Sequence, residues 1–456
     1  MVKKNDVIEE KVVDFALPES SGVIKQGGLV IFVPGALPGE KCQVKIRKIK
    51  RNYALGELLS TDCSSPFRIE PFCPHFGEGC GGCSLQYIDY PFQREIKEKN
   101  AREVLSRVGQ VDWEKVDYQG MLPSPRFLEY RNKMEFNFGQ RGEELSLGLR
   151  PRGRFWDLID LKTCFLMKKS LTEEVLDFFR FYGRKHHLSG YDPVSKKGFL
   201  RNLLVRYSET QDQLLLGLST TSGELPHIEE LTRQLKKQFT NLIGFSQIIN
   251  NSPASALLFE QKKLWYGEDH FFEKIGSINY RVSLESFFQV NTAGCLTLYS
   301  QAKELACIQS DETVLDLYCG SGGVGLFLAD QANRIIGVED NQRAIEDARF
   351  NAWANGLDNF TVIQGRVEKM INDLSGLRAD VVVVDPPRAG LDKKLVRRIS
   401  RIGADRIVYL SCNVGTLARD ISFFKEKGYH LTRLVFIDLF PQTPHFESVA
   451  LLEEER

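Results

Sequence analysis

Four short apolar runs in the last third of the chain, each ending in a polar residue at a turn, constrain the fold more than any other feature. Val314 to Leu317 leads into YCGSGGVG, RIIGVED ends in Glu339 and its neighbours, ADVVVVDPPRAG carries a third run to Asp385, and RIVYLSCN a fourth to Cys412. Short β-branched and aromatic runs of this kind fill strands that are buried on both faces. Alternating with helical patterns, they predict a doubly wound parallel sheet from about residue 285. Open sheets of this type bind ligands at the carboxyl ends of their strands, so the residues at those ends are the first candidates for chemistry.

Gly320, Gly322 and Gly325 spell G-x-G-x-x-G after the first of these strands, with an acid 19 residues beyond Gly320. That pattern suits a dinucleotide, and a nicotinamide oxidoreductase is one reading of it. Two features point instead to S-adenosylmethionine. Asp316 lies within the first strand, where dinucleotide folds keep apolar residues and where a carboxylate can face a cationic methionine end. Asp385-Pro386-Pro387-Arg388 ends a later strand, where many methyltransferases place an acid and prolines beside the methyl donor. Glu339 suits either ligand, because a carboxylate at the end of the second strand can accept both ribose hydroxyls.

A thiol after a buried strand is more often packing than chemistry, since free cysteine behaves as a small hydrophobe. Methyl transfer gives Cys412 a purpose. Carbon 5 of a uracil is too weak a nucleophile to attack a sulfonium methyl directly. A thiolate adding to carbon 6 makes carbon 5 enolate-like, and a base must then remove the carbon 5 proton so that the thiolate can leave. Glu447, in PQTPHFESVALL at the start of an apolar terminal strand, is the candidate base, because entering a buried edge costs it hydration and raises its pKa. The competing reading is a strand-end charge with no part in the reaction.

Upstream, CPHFGEGCGGC sets Cys73, Cys80 and Cys83 within eleven residues, and LKTCFLM adds Cys164. Glycines let the chain fold round a centre, and Gly/Pro-rich sequence has little core in which to hide thiols. The four are therefore candidate metal ligands, with Cys63 as a spare for Cys164. Spacing alone does not choose between zinc and an iron-sulfur cluster. A chain of 456 residues has room for about three domains. At that size, and with no export signal, its ten cysteines do not read as a secreted disulfide framework.

Lys plus Arg equals Asp plus Glu at 60 each, so only local clusters can point to a polyanion. Residues 1 to about 60 read as short strands between turns at Gly27-Gly28 and Pro38-Gly39, the pattern of a small all-β barrel. There Lys41, Lys45, Arg47, Lys48, Lys50 and Arg51 interleave with Val44, Ile46 and Ile49, as either a phosphate-tracking stripe or a solvated strand face. Pro91 to Val108 carries a helical apolar stripe with Glu95/Lys99, Glu98/Arg102 and Glu103/Arg107 pairs, and stops at Gly109. From about 125 to 284 strands and helices alternate. Arg131, Lys133, Arg150, Arg152 and Arg154 there can bind a polyanion, with Phe136, Phe138 or Trp156 stacking on bases; equally, the aromatics can be core and the arginines solvated. The amino terminus has no apolar leader core and no run approaches the ~18 apolar residues of a membrane span, so a cytoplasmic protein without membrane contact is expected.

Jointly, PGALPGE, CPHFG, CGGC, YRNKMEF, FFQVN at Phe287 to Asn291, DLYCGSGG, DPPRAG, SCNVGTLARD and HFES give the chain a specific resemblance. Over nearly its whole length it resembles the bacterial TRAM-domain, iron-sulfur-containing RNA uracil-C5 methyltransferases, in particular the branch acting on 23S ribosomal RNA. The resemblance implies a multidomain chain: an OB-like TRAM β-barrel over 1–62, a central α+β iron-sulfur and RNA-binding domain over 63–92 and 125–284, and an α/β Rossmann-like S-adenosylmethionine-dependent domain over 93–124 and 285–456. It implies Cys412 as nucleophile and Glu447 as base, with Gln289, Tyr318, Gly320, Gly323, Glu339, Arg366 and Asp385 around S-adenosylmethionine. Cys73, Cys80, Cys83 and Cys164 would hold a 4Fe-4S cluster with a structural and RNA-positioning role. A monomer with 23S rRNA as its partner is expected; a transfer RNA substrate and a non-catalytic ribosome-assembly factor are the alternatives.

Several positions depart from the family pattern. Six residues separate Cys73 from Cys80, one more than usual. Gly323 and Arg366 stand where relatives often carry an Asn on the cofactor and an acid or amide on the adenine. Val414 replaces the usual Pro after SCN.

Overall fold

The computed structural model describes residues 2–61, 65–142, 144–254, 256–373, 376 and 378–455. The boundary read at 62/63 and the spare Cys63 lie outside those residues. The amino-terminal strands form one six-stranded sheet in the order Val7–Lys11, Lys41–Ile49, Tyr53–Thr61, Leu29–Pro34, Ser21–Gln26 and Asp14–Ala16. Val12, Ile24, Ile31, Val33, Val44 and Ile46 give it a core of its own. Its basic strand departs from strict alternation. The register slips between Ile46 and Lys48, and Ile49, expected inside, is 40% exposed. Part of the basic stripe is also matched locally, Lys41 by Glu9 and Arg47 by Glu57.

Glu40 accounts for the PGALPGE turn. Its buried carboxylate accepts from Leu37 N at 2.8 Å, from Ser65 N at 3.3 Å, and from Arg68 Nε and Nη2 at 2.5 and 2.8 Å. One side chain thus closes the turn and ties the sheet to the segment that follows.

A second sheet of seven strands runs in the order Ile159–Asp160, Glu144–Leu149, Lys133–Arg141, Leu200–Ser208, Gln213–Thr220, Leu242–Ile249 and Gln261–Gly267. The helices Lys169–Lys185 and Ile228–Gln238 bury Val175, Phe179, Leu231 and Leu235 against it. Phe136 and Phe138 belong to that core and are not base-stacking residues, whereas Phe155 and Trp156 are each 55% exposed. The hairpin of His270–Ile275 and Ile278–Ser283, assigned to the central domain by sequence, packs Phe271, Tyr280 and Val282 into the core of the terminal domain.

The terminal sheet has eight strands, in the order Phe360–Gln364, Arg334–Glu339, Thr313–Leu317, Val381–Val384, Arg406–Ser411, Glu447–Glu454, Tyr429–Ile437 and Asp117–Leu122. The first five are parallel; Glu447–Glu454 runs antiparallel to both its neighbours. The chain winds outward in one direction from Thr313–Leu317 and in the other from Val381–Val384, which opens a crevice between their carboxyl ends. Asp117–Leu122 pairs in parallel with Tyr429–Ile437. The preceding helix, Tyr90–Arg107, packs Ile96, Ala101 and Leu105 into the same core as Leu417, Ile421 and Phe424. Lys99 on that helix, expected to pair with Glu95, reaches Asp14 of the first sheet at 2.6 Å. Among the described residues no helix is long and apolar enough to cross a membrane.

Burial raises the pKa of Glu40, but the Arg68 hydrogen bonds and the two backbone N–H groups outweigh it and hold the group below its ordinary value. Its stabilising contribution is therefore complete above the unfolded-state pKa and is lost as pH falls through the lower folded-state one. Glu40→Gln is expected to cost about 3 kcal/mol at neutral pH. In thermal unfolding, the gap between wild type and variant should close as the solution is made acidic.

Candidate active site

Three strand ends meet at one edge of the terminal sheet. Val384 lies beside Tyr409, so Asp385 and Cys412 emerge from adjacent parallel strands. Ser411 lies opposite Ser448 on the antiparallel strand, and one step further along the ladder puts Cys412 beside Glu447. Glu447 is 3% exposed and Cys412 is partly exposed. The nucleophile and base expected from the sequence are therefore neighbours on an open edge.

The SCNVGTLARD motif holds the loop that carries Asp385 and Arg388. Asn413 caps the helix Val414–Lys425 through Gly415 N at 3.0 Å and donates through Nδ2 to Arg388 O at 3.1 Å. Arg419 donates to Ala389 O and Leu391 O at 2.9 and 2.7 Å. Asp420 accepts from Leu391 N and from Tyr409 OH, both at 2.7 Å. The loop passes so close that a Cβ on Gly390, where φ is +70°, would lie 2.6 Å from Asp420 Oδ2. Val414 occupies the first helical position, where its side chain leaves these contacts in place.

The electrostatics of this edge are one-sided. Burial, then Asp385, pushes the Glu447 carboxyl far above its usual range, with Arg388 opposing. Burial pushes Asp385 up to about 6. Burial, followed by Asp385, pushes Asp316 up to about 8. Burial and the fields of Glu447 and Asp385 push the Cys412 thiol up to about 11, again against Arg388. Arg388 in turn donates through Nη2 to Nδ1 of His445 at 2.9 Å. Burial and that guanidinium pull His445 down to about 4, so the ring is neutral at physiological pH and accepts this bond. Desolvated acids outnumber the Arg388 guanidinium here, and a sulfonium ion, which favours their ionised forms, fits the crevice.

The Gly-rich loop forms the other wall. Tyr318 turns the chain with φ of +64°, a conformation unusual for a side chain of that size. Its hydroxyl donates to Glu368 at 3.0 Å. Gly320 N donates to Glu339 Oε2 at 3.0 Å, while Asp340 N and Asn341 N donate to Oε1 at 3.0 and 2.8 Å. Glu339 thus already anchors the loop, with lone pairs left for a ligand. Asp316, expected to face the ligand, is buried and accepts from Gly325 N at 3.0 Å. Gly323 offers no side chain for a ligand, and its carbonyl accepts from Tyr280 OH at 2.8 Å. A Cβ at Gly323 would lie 2.4 Å from the Tyr299 hydroxyl, which explains why an Asn cannot stand there. Arg366 is exposed and lies near Glu368, at 3.6 Å. Gln289 is buried in the segment before the helix Thr292–Ala306, with its carbonyl held by Asn132 at 2.9 Å.

Cys73, Cys80, Cys83 and Cys164 line one pocket together with Phe76, Gln86, Leu149 and Leu161. Burial, then the neighbouring thiols, pushes Cys164 up to about 11; burial, opposed by Gln86 and reinforced by those thiols, pushes Cys83 up to about 12. Thiolates so placed require cations to hold them. Among the described residues no three His, Cys, Asp or Glu side chains close round the position of a single ion; the thiols are set in the walls of the pocket. This pocket is tied to the segment that precedes Glu447, because Ser84 N and Leu85 N donate to Gln442 O at 2.9 and 3.1 Å. A cleft beside it is lined by Gly82, Arg131, Glu135, Arg152 and His445 and leads from the cysteine loop toward Arg388. Sequence reasoning gave His445 no role and Arg388 only a place in a motif; their partnership is a tertiary contact with no local signal.

Comparison with known proteins agrees with this geometry. Residues 227–455 match the family described as tRNA (Uracil-5-)-methyltransferase, and residues 11–59 match the TRAM domain. An uncharacterized RNA methyltransferase of Halalkalibacterium halodurans is 37% identical over 454 residues, covering 99% of this chain and 98% of its own. One from Caldanaerobacter subterraneus is 35% identical, with 99% of both chains covered. The crystal structure of Pyrococcus abyssi tRNA (uracil-54, C5)-methyltransferase in complex with S-adenosyl-L-homocysteine superimposes with a TM-score of 0.78 at 26% identity. It covers 98% of this chain and all of that one. The fold and the site define a S-adenosylmethionine-dependent RNA methyltransferase. The chain belongs to the RNA uracil-5 methyltransferase family.

With its pKa near 11, Cys412 is protonated at rest, and its thiolate fraction rises tenfold per pH unit below that value. Its alkylation by iodoacetamide, followed by peptide mass spectrometry, should therefore accelerate about tenfold per unit from neutral pH toward that pKa. A rate that levels off near neutrality would contradict the carboxylate field described above.

Proposed function

We propose that the protein methylates carbon 5 of a uridine in 23S ribosomal RNA in the cytoplasm, through a covalent bond between Cys412 and carbon 6. The observation that carries the covalent mechanism is the register of the Arg406–Ser411 and Glu447–Glu454 strands, which brings a thiol and a desolvated carboxyl together beside the crevice, whereas the ribosomal substrate rests on the motif resemblance. S-adenosylmethionine supplies an electrophilic methyl group and, as a sulfonium, a positive charge that favours the ionised acids of the crevice.

The chain's residues perform the remaining work. Cys412 gives up its thiol proton to solvent as its sulfur bonds to carbon 6, and the electron pair displaced onto carbon 5 takes the methyl group, whose bond to the donor's sulfonium sulfur breaks and leaves a neutral thioether. Glu447 then removes the carbon 5 proton, the ring double bond reforms, and the sulfur is released with the electron pair of its bond. Burial and the field of Asp385 raise the affinity of Glu447 for a proton, so that its ionised form, reached by loss of its own proton to solvent, is a stronger base than an exposed carboxylate. Arg388 lowers the cost of the thiolate, and neutral His445 orients Arg388. Asp385, Glu339 and the loop from Tyr318 to Gly323, with Gln289 and Arg366, would hold the cofactor in the crevice. Exposed Arg152, Arg154, Phe155 and Trp156 give RNA a charged and stacking surface next to the cysteine loop.

Cys73, Cys80, Cys83 and Cys164 would hold a 4Fe-4S cluster, which supplies a rigid crosslink between the two segments that carry them. Thiols set in the walls of a shared pocket support a group of several irons. Iron and acid-labile sulfide in anaerobically purified protein, both lost in Cys83→Ser, are the expected result; zinc without sulfide would count against it.

RNA containing 5-fluorouridine should form a stable adduct through Cys412, because fluorine cannot leave as a proton does. Cys412→Ala should lose the adduct and turnover while retaining RNA binding. Glu447→Gln should accumulate adduct on ordinary RNA. A second reading, a transfer RNA substrate, is favoured by the near-complete superposition on a transfer RNA enzyme. Mapping 5-methyluridine in ribosomal and transfer RNA from cells lacking the chain decides between them.

A further inference from the structure

The segment 438–446, which joins the strands Tyr429–Ile437 and Glu447–Glu454, contains no helix or strand and, besides backbone bonds to Leu122, Ser84 and Leu85, is held by side chains from elsewhere in the chain. Lys97 is fully buried, and its ammonium donates to Asp438 Oδ1 at 2.6 Å, Phe440 O at 3.2 Å and His445 O at 3.0 Å. One cation therefore grips the beginning and the end of the segment. Gln93, one turn earlier on the same helix and also fully buried, meets Gln442 twice: its Nε2 donates to Gln442 Oε1 at 3.0 Å and its Oε1 accepts from Gln442 N at 3.1 Å. At the point of that grip the backbone is strained, since Gln442 has φ of +68°. Tyr130 OH donates to Pro441 O at 3.0 Å and Asn291 Nδ2 to Leu439 O at 2.9 Å.

His445 stands two residues before Glu447 and contacts Arg388. Fixing the His445 backbone therefore fixes the entry of the base, while the loop that carries Arg388 is held separately, its carbonyl accepting from Asn413 Nδ2 at 3.1 Å. A buried lysine is a costly way to fill space, and an apolar side chain would pack as well. What the ammonium adds is a set separation between two carbonyls of an otherwise irregular loop.

We propose that Lys97 and Gln93 are positioning residues for the proton-removal step, holding the 438–446 segment so that Glu447 reaches the carbon 5 proton. The inference rests on the covalent mechanism proposed above. It predicts a split between the two halves of the reaction. Adduct formation with 5-fluorouridine RNA needs Cys412 and methyl transfer but no proton removal; release from ordinary RNA needs Glu447 in place.

Lys97→Met should form the fluorouridine adduct at the wild-type rate, yet turn over ordinary RNA about a hundredfold more slowly and accumulate methylated adduct on it. Because Lys97→Met leaves Asp438 buried without its partner, Lys97→Met/Asp438→Asn and the uncharged change Gln93→Leu carry the same readout if the single variant does not fold. Equal slowing of both half-reactions, or release at the wild-type rate, would overturn the proposal. Absence of a fluorouridine adduct in the wild-type protein would instead overturn the covalent mechanism, and with it the step on which Lys97 is said to act.

Discussion

The site depends on one stretch of backbone pairing. Hydrogen bonds between Arg406–Ser411 and Glu447–Glu454 set Ser411 opposite Ser448. Because side chains alternate faces along a strand, a slip of one residue would turn the carboxyl away from the thiol. The register is secured by burial: Val408, Leu410, Val449 and Leu451 lie on one side, Ile407, Tyr409, Ala450 and Leu452 on the other, and all are buried. Both faces of the strand pair are thus committed to core, and misalignment would exchange side chains of different shape between two packed interfaces, at about 1–3 kcal/mol for each overpacked position. Chemistry that needs two groups at a fixed separation is obtained here from packing that has no chemistry of its own.

The second constraint is charge. Asp316 and Asp385 have pKa values raised to about 8 and 6, and Glu447 is raised as well, all by desolvation first. Such groups destabilise the ligand-free fold at neutral pH, since the unfolded chain would ionise them more cheaply. A cationic ligand recovers that free energy, which is how an unfavourable interior becomes a selective one. Asp316 shows that the same carboxylate field also serves the scaffold, because its hydrogen bond to Gly325 N shapes the loop that the ligand meets.

Much of this was readable in advance. The apolar runs ending at Leu317, Glu339, Asp385 and Cys412 are the strands they promised to be, because buried parallel strands impose a composition that little else requires. The pairing of Cys412 with Glu447 followed from chemical need together with motif resemblance, and the geometry places them side by side. The limits are equally physical. Phe136 and Phe138 alternate in a strand whose inner face periodicity cannot distinguish from its outer one, and they proved to be core. Ile49 was misplaced because a bulge leaves no mark in composition. Lys97 and Gln93 look like ordinary members of a charged helix, since their partners lie near the other end of the chain and burial is a property of the folded whole.

That distance has a further consequence. Lys97 and Asp438 are separated by 341 positions, and Gln93 and Gln442 by 349. During synthesis at ~5–20 residues per second, the helix emerges about 20–70 s before the segment it will clasp. Through that interval its apolar stripe and its ammonium have no permanent home, and the strand Asp117–Leu122 has no sheet to join. The two amino-terminal sheets can settle as they leave the ribosome, but the terminal sheet closes only when the last strand arrives. A chain that stops short of Glu447 thus lacks the paired thiol and carboxyl, which come together only in the final moments of assembly.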